Sequence, residues 1–237
     1  MTTAVHAILN TGTIMRIRSF VVALGVLALS TSRLSAQTCA GAASFSAGPV
    51  RAGAGLATSD GVKSYGVNMA VGARSGAFAS ANIARAEYSD IDGSGTLVGI
   101  GAGYAADLDP AKTVQFCPQV SYVHQSGPDI DFGTGTISTS AYAIGLGGSV
   151  GATMPVSPTL DLVPFGGASY IHSRASATMD GTTESESQNY TDFTLGAGFV
   201  FNKTLTLQPA LSIPVGIDGA KSSFQLAFGF NFGAPKH

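Results

Sequence analysis

The chain has 237 residues, of which 45% are hydrophobic and only 11% are charged. An ordinary soluble domain carries about 25% charged residues, so this composition favours a membrane environment. The net charge of −2 comes without a basic stripe, which argues against nucleic acid as a partner. Beyond the N-terminus, no apolar run reaches the roughly 18 residues of a spanning helix, which leaves a closed β-barrel as the predicted membrane structure.

The N-terminus has the three regions of a secretory signal peptide. A basic segment at 15–18 precedes an apolar run at 20–29, and Leu34-Ser35-Ala36, which ends in two small residues, offers a cleavage site. We therefore expect a cleaved signal peptide over 1–36, with Met15 as the preferred initiator, and an outer-membrane β-barrel over 37–237. The apolar run is too short for a membrane anchor.

Along the rest of the chain, apolar residues alternate with small or polar ones, which predicts strands with one apolar and one polar face. The predicted fold is all-β: a single up-and-down antiparallel transmembrane β-barrel of ten strands, with eight as the alternative count. Most strands have the ~9–11 residues that cross a bilayer with tilt. The predicted strands cover 42–50, 64–73, 77–88, 96–105, 113–124, 139–151, 159–172, 190–201, 204–213 and 222–232. Phe78 and Ile83 have opposite parity, which predicts a bulge between them.

A hairpin unit recurs three times, marked by a Thr-x-x-x-x-Pro motif at 113–118, 159–164 and 204–209. Each motif follows a glycine-rich strand, so the unit is strand, short turn, strand and longer polar loop. The predicted longer loops include 55–63 and 174–189. Short periplasmic turns and long outer loops are typical of outer-membrane barrels, and an even strand count places both chain ends in the periplasm.

Six of the seven tyrosines fall at the loop ends of their predicted strands. An amphipathic ring belongs at the level of the lipid headgroups, so these residues predict an aromatic belt. The belt residues are Tyr65, Tyr88, Tyr122, Tyr142, Tyr170 and Tyr190. A soluble lipocalin-like barrel with its apolar face inward is the alternative, and the low charge favours the membrane form.

The last predicted strand has the clearest alternation in the chain. Its bulky residues are Phe224, Leu226, Phe228, Phe230 and Phe232, with small or polar residues between them. A strand between lipid and a lumen needs this pattern.

Together with the other alternating strands, the last strand resembles the small outer-membrane β-barrel superfamily of Gram-negative bacteria, which includes opacity-protein-like surface antigens. The resemblance implies a place in the outer membrane, contact with its lipid, and recognition of the strand ending at Phe232 by the barrel-assembly machinery. Residues 233–237 after that strand, and the absence of Trp, depart from the family pattern.

Parity predicts a polar network in the lumen that contains Arg85, Glu87, Asp161 and Asp192, because charges inside a barrel seek partners. A polar brace of the interior is the favoured interpretation, and a selective constriction is the alternative.

The chain has two cysteines, Cys39 and Cys117. An exported chain meets an oxidising compartment, so a disulfide between them is expected, with two separate buried thiols as the alternative.

No catalytic motif is visible. His124 and His172 each follow a belt tyrosine by two residues, without a nucleophile or an orienting carboxylate at a useful spacing. The acidic segment at 90–93 lacks the twelfth-position glutamate of an EF-type calcium loop, so we expect no metal and no cofactor.

The sequence predicts a non-enzymatic barrel with a structural or surface-interaction role, whose loops contact an extracellular ligand or surface partner. A narrow porin-like channel for ions or small solutes is the alternative, and an outer-membrane barrel enzyme is less favoured.

Overall fold

The computed structural model describes residues 38–42, 45, 49–73, 75–89, 93–131, 136–217 and 219–233. The predicted signal peptide over 1–36 lies outside the described residues, and so do residues 90–92 of the acidic segment. No helix in the described part of the chain has the length and apolar character needed to cross a membrane.

The described chain begins with a short 3-10 segment, Thr38–Ala40, and continues as strands joined by turns. Ten long strands form the wall, and three short strands of two to four residues pair at its ends. The strands are β1 (Val50–Ser59), β2 (Val62–Gly72), β3 (Ala77–Tyr88), β4 (Ser94–Tyr104), β5 (Ala106–Asp107), β6 (Val114–Ser126), β7 (Ile130–Asp131), β8 (Thr136–Ala152), β9 (Met154–Ser157), β10 (Leu160–Met179), β11 (Thr182–Phe201), β12 (Leu205–Val215) and β13 (Ser223–Phe232).

The ten long strands pair antiparallel with their neighbours and close on themselves. The closing ladder joins β1 to β13, in register from Val50 opposite Phe232 to Thr58 opposite Phe224. The pairing of β6 with β8 completes the ring on the other side. The predicted ten-stranded antiparallel barrel is therefore confirmed.

Most of the large apolar side chains form the outer face of the wall, and most of the side chains that face the lumen are small or polar. In β13, Phe228 is 49% exposed whereas its neighbour Ala227 is 5% exposed. The same alternation runs along the other long strands, where outward residues such as Val67, Ile100 and Leu195 are exposed. The apolar outer face has the pattern that a lipid environment requires.

The predicted bounds of the first strand were wrong. Small residues lie on both faces of β1, so alternation did not reveal that it runs over Val50–Ser59 rather than 42–50. The predicted loop at 55–63 is a two-residue turn, because β2 begins at Val62.

The predicted loop at 174–189 is also wrong, since this segment continues the barrel wall as a hairpin. β10 runs to Met179 and β11 starts at Thr182. Between them, Asp180 and Gly181 have φ values of 50° and 78°, the left-handed conformation that a two-residue hairpin turn needs. The neighbouring strand β12 ends at Val215, which pairs with Thr191 of β11. Residues 173–189 therefore extend past the end of β12, and we call them the projecting hairpin.

No bulge separates Phe78 from Ile83, contrary to the sequence prediction. The register of β3 is continuous with both β2 and β4. Phe78 is 6% exposed and faces the lumen, whereas Ile83 is 51% exposed and faces outward. Phe78 and Ile83 therefore have opposite parity because the Phe78 ring lies inside the barrel, and not because the strand contains a bulge.

Candidate functional site

Residues 38–42 and Phe45, here called the N-terminal segment, lie inside the turn end of the barrel. Cys39, Ala42 and Phe45 are all buried. Phe45 packs on Phe78, with 6.3 Å between the ring centroids, and both contact Ala70. The segment therefore fills part of the lumen at the end where both ends of the described chain lie.

Two residues of the repeated proline motif contact the N-terminal segment. The residue before each proline faces the lumen, and these residues are Cys117, Val163 and Gln208. Cys117 is joined to Cys39 by a disulfide with Cα atoms 5.9 Å apart. The side-chain amide of Gln208 donates to the carbonyl oxygen of Ala40. The motif thus links β6 and β12 to one segment. The sequence led us to expect the disulfide but not the Gln208 contact.

The Gly41 backbone lies against the wall of β11. A Cβ added at Gly198 would overlap the carbonyl oxygen of Gly41, and one added at Gly41 would overlap the ring of Phe165. The close approach of the Gly41 backbone therefore requires glycine at 198, while the Phe165 ring and a φ of 78° favour glycine at 41.

The middle of the lumen carries buried polar side chains. Asp192 is 3% exposed and accepts hydrogen bonds from the Ser212 hydroxyl at 2.5 Å and the Thr194 hydroxyl at 3.5 Å. Arg51 donates from Nε to Oδ1 of Asn231 at 2.6 Å, nearer the turn end. These contacts brace neighbouring strands from the inside.

The structure does not bring the four predicted network residues together. Asp161 and Asp192 both face the lumen, but they lie at different heights. Asp161 on β10 pairs with Val200 of β11, whereas Asp192 is on β11 itself and pairs with Ser169 of β10. Positions 192 and 200 are eight residues apart on β11, which is about 26 Å along the strand.

The inward placement of Arg85 and Glu87 was wrong. Both are exposed on the outer face, because Phe78 faces inward and sets the parity of all of β3. Glu87 accepts a hydrogen bond from the Tyr65 hydroxyl at 3.0 Å on that outer face.

An apolar layer crosses the lumen near its loop end. It contains buried side chains from seven strands, and Tyr88 packs against it. The layer consists of Val62, Ala84, Ala86, Leu97, Val123, Ala143, Ile171 and Tyr190. Leu97, Val123 and Ile171 are fully buried.

Tyr88 and Tyr190 therefore do not belong to the predicted aromatic belt. Tyr190 is 3% exposed within the apolar layer. The Tyr88 hydroxyl accepts a hydrogen bond from the Gln125 side chain at 2.5 Å. Both rings lie at the predicted height but face inward, where they help to fill the lumen.

The other four predicted belt tyrosines, Tyr65, Tyr122, Tyr142 and Tyr170, face outward. The rings of Tyr122 and Tyr142 stack at 6.5 Å, and the His172 ring lies 6.5 Å from Tyr142. This arrangement produces an aromatic band over part of the outer rim.

The two histidines of the rim also face outward. His172 pairs through Nδ1 with Oδ1 of Asn189 at 2.9 Å, and His124 is exposed. Within the described residues, no group of three His, Cys, Asp or Glu side chains could hold a metal ion.

The cavity beside Arg51 in the lumen is small. It has a volume of about 10 Å³ and is lined by residues that include Asn68, Thr206 and Gln208. That volume corresponds to about one water molecule, too little for an organic ligand.

Comparison with known proteins gives the family and the fold. Residues 21–232 match the family described as outer membrane protein beta-barrel domain. No curated protein matches the chain.

Among solved structures, the translocator domain of the autotransporter NalP from Neisseria meningitidis is 14% identical, with a TM-score of 0.53, and the match covers 98% of this chain and 97% of that one. The beta domain of the Bordetella autotransporter BrkA is 11% identical, with a TM-score of 0.50 and coverages of 78% and 100%. Neisserial surface protein A is 17% identical, with a TM-score of 0.38 and coverages of 77% and 96%. At these identities the similarity concerns the fold alone.

The closed ten-stranded wall, its apolar outer face and the family match over most of the sequence agree with one another. The chain therefore belongs to the outer-membrane β-barrel family of proteins and resides in the bacterial outer membrane.

Proposed function

We propose that this protein is a non-enzymatic barrel with a closed lumen, which acts through its outer rim and projecting hairpin. The observation that carries the proposal is the filling of the lumen at three heights. The N-terminal segment occupies the turn end, polar side chains occupy the middle, and the apolar layer occupies the loop end. Such a lumen suits a structural or surface-interaction role better than solute passage.

The apolar layer is the strongest argument against the porin-like alternative. An ion that crossed it would have to lose its hydration among side chains such as Leu97, Val123 and Ile171, which offer no hydrogen-bonding groups. The disulfide and the Gln208 contact hold a second obstruction at the turn end. A channel would require both to move.

Conductance in a planar bilayer tests the closed lumen. The purified folded barrel is expected to give no discrete current steps, whereas a general porin inserted under the same conditions gives them. Reproducible steps that disappear when Leu97→Phe enlarges the apolar layer would instead establish a channel.

The position of the histidines supports the absence of enzymatic activity. His124 and His172 lie on the outer wall rather than in a cleft, and the hydrogen-bond partner of His172 is an amide. A general base needs a substrate proton within reach and an orienting group.

Incubation with phospholipid and glycolipid vesicles tests this part of the proposal. Lipid composition, followed by mass spectrometry, is expected to stay unchanged. Lipid cleavage that is lost in the double variant His124→Ala and His172→Ala would contradict the proposal.

A further inference from the structure

Charged and histidine side chains on the outer wall are confined to one end and one sector of the barrel. Among the described residues of the ten long strands, those that face outward lie near the loop ends of β2, β3, β6 and β10. They are Lys63, Arg85, Glu87, His124, His172 and Arg174. Five of these six are basic or histidine. The outer faces of β12, β13 and β1 remain apolar or uncharged up to the rim.

Three of these residues surround one tyrosine. His124 and Arg174 lie opposite Tyr142 in register, on the two strands that flank β8. Two strand spacings separate them, which is about 10 Å. The His172 ring lies 6.5 Å from the Tyr142 ring. We call these four residues the Tyr142 cluster.

The projecting hairpin holds the cluster in place. Arg174 donates from Nη2 to the Ser185 hydroxyl at 2.7 Å. A guanidinium has five N–H donors, so this bond leaves others for a ligand. Glu184 and Glu186 pair with Ala177 and Ala175, on the opposite face of the hairpin from Arg174. The hairpin carboxylates therefore do not neutralise the cluster.

The height of the cluster matches that of lipid headgroups. Along the outer face of β10, the residues before Tyr170 are apolar, and His172 and Arg174 follow it. Arg174 is four residues beyond Tyr170, which at a tilt of about 40° raises it roughly 10 Å further along the membrane normal. A cation at this height on the outer wall lies at the membrane surface, within reach of the headgroup of a lipid next to the barrel.

We propose that the Tyr142 cluster binds the phosphate group of a lipid headgroup in the outer leaflet. Arg174 supplies charge-assisted, fork-shaped hydrogen bonds to phosphate oxygens. His124 and the hydroxyl of Tyr142 supply further donors, while the aromatic faces of Tyr122 and Tyr170 contact the upper acyl chains. The partner is thus a phosphate-bearing lipid held against one sector of the barrel.

Binding of a fluorescent phosphatidic acid to the folded barrel in a neutral detergent tests the proposal. Its affinity is measured by fluorescence anisotropy and compared with that of the phosphate-free diacylglycerol. Phosphatidic acid is expected to bind more tightly, with an affinity that falls as salt increases.

The variant Arg174→Gln is expected to bind phosphatidic acid about fivefold more weakly, the effect of losing one interfacial arginine. Lys203→Asn removes a positive charge from an exposed turn at the opposite end, where φ of residue 203 is 56°, a conformation that Asn tolerates. This control is expected to bind like the parent protein. Heat-modifiable migration in SDS establishes that both variants are folded.

Equal affinity of Arg174→Gln and Lys203→Asn for phosphatidic acid would overturn the proposal. Equal affinity of the parent protein for phosphatidic acid and diacylglycerol would do the same. Displacement of phosphatidic acid by inorganic phosphate at comparable concentration would show a site for the free anion and would also overturn the assignment to a lipid.

Discussion

Two arginines show that charge serves different purposes on the two faces of the wall. Arg51 is 4% exposed and braces the lumen through Asn231, whereas Arg85 is exposed on the outer face opposite Tyr65. In the sequence, both stand between small or aliphatic residues, as Val-Arg-Ala and Ala-Arg-Ala. Alternation therefore could not orient either one, and the predicted lumen network missed Arg51 and included Arg85.

The inward carboxylate of Asp192 is expected to stabilise the barrel. Asp192→Ala leaves the buried Ser212 hydroxyl without its acceptor, at a cost of about 1–3 kcal/mol in the free energy of unfolding. Urea unfolding in lipid vesicles, followed by gel migration, measures this loss. Asp161→Ala removes a half-buried carboxylate near the turn end and is expected to cost less than about 1 kcal/mol. Equal losses in the two variants would contradict a specific role for Asp192.

Asp109 makes the turn before β6 sensitive to acid. The backbone N–H of Val114 donates to its carboxylate at 2.7 Å and the Thr113 hydroxyl donates at 2.8 Å, and these bonds lower the pKa of Asp109 below its usual value. The pKa of Asp109 is lower in the folded than in the unfolded chain. The stability that its ionised carboxylate contributes is therefore complete above the unfolded pKa of about 3.9 and is lost as pH falls through the folded pKa.

The amide resonance of Val114 reports this titration in an NMR experiment. Its chemical shift is expected to change with a midpoint below about 3.9, the ordinary pKa of an aspartate. The transition should be absent in Asp109→Asn. A midpoint at or above the ordinary value would show that the turn does not stabilise the ionised carboxylate.

Among the elements, most of the long strands follow from the sequence, whereas β1 and the N-terminal segment do not. Alternation of bulky and small residues locates β13 and β4 to within two residues, because a lipid-facing wall needs large side chains at every second position. Phe45 shows the same pattern of an aromatic between small residues, yet it packs inside the lumen on Phe78. Local pattern does not reveal on which side of the wall such a ring is buried.

The projecting hairpin was missed for a related reason. Residues 182–189 read Thr-Thr-Glu-Ser-Glu-Ser-Gln-Asn and carry no apolar face, so they resemble a polar loop. Their pairing with β10 and the turn at Asp180 and Gly181 make them a strand. Above the membrane both faces of a strand are wet, and hydrophobic alternation is no longer required.

The N-terminal segment depends on the absence of a side chain at Gly198. Gly198→Ala is expected to displace Gly41 and to reduce the free energy of unfolding by about 1–3 kcal/mol, the usual range for overpacking. Thiol labelling should also detect free Cys39 and Cys117 in part of the molecules. Gly166→Ala is the matched control, because its new Cβ would meet the flexible end of Leu195 at 3.1 Å and otherwise only the Thr194 carbonyl oxygen at 3.6 Å, an ordinary contact. Complete disulfide formation and parental stability in Gly198→Ala would contradict this account of the segment.

For the whole molecule, composition and alternation were sufficient to predict a membrane barrel and its ten strands. Low charge favoured the membrane form over the soluble alternative, and the outward direction of Phe224, Phe228 and Phe232 agrees with that choice. The filling of the lumen could not be predicted, because it depends on long-range convergence of residues such as Leu97, Ile171 and Tyr190 from different strands. The fold thus follows from local periodicity, whereas the proposed function depends on contacts across the barrel.

Collisional quenching by lipids with brominated acyl chains tests the direction of the large side chains most directly. The chain has no Trp, so Phe228→Trp and Tyr190→Trp each introduce a single fluorophore in place of an aromatic residue. Bromine in the acyl chains is expected to quench strongly the fluorescence of the Phe228→Trp variant and to leave that of Tyr190→Trp almost unchanged. Strong quenching of Tyr190→Trp together with protection of Phe228→Trp would contradict a barrel whose bulky residues face lipid.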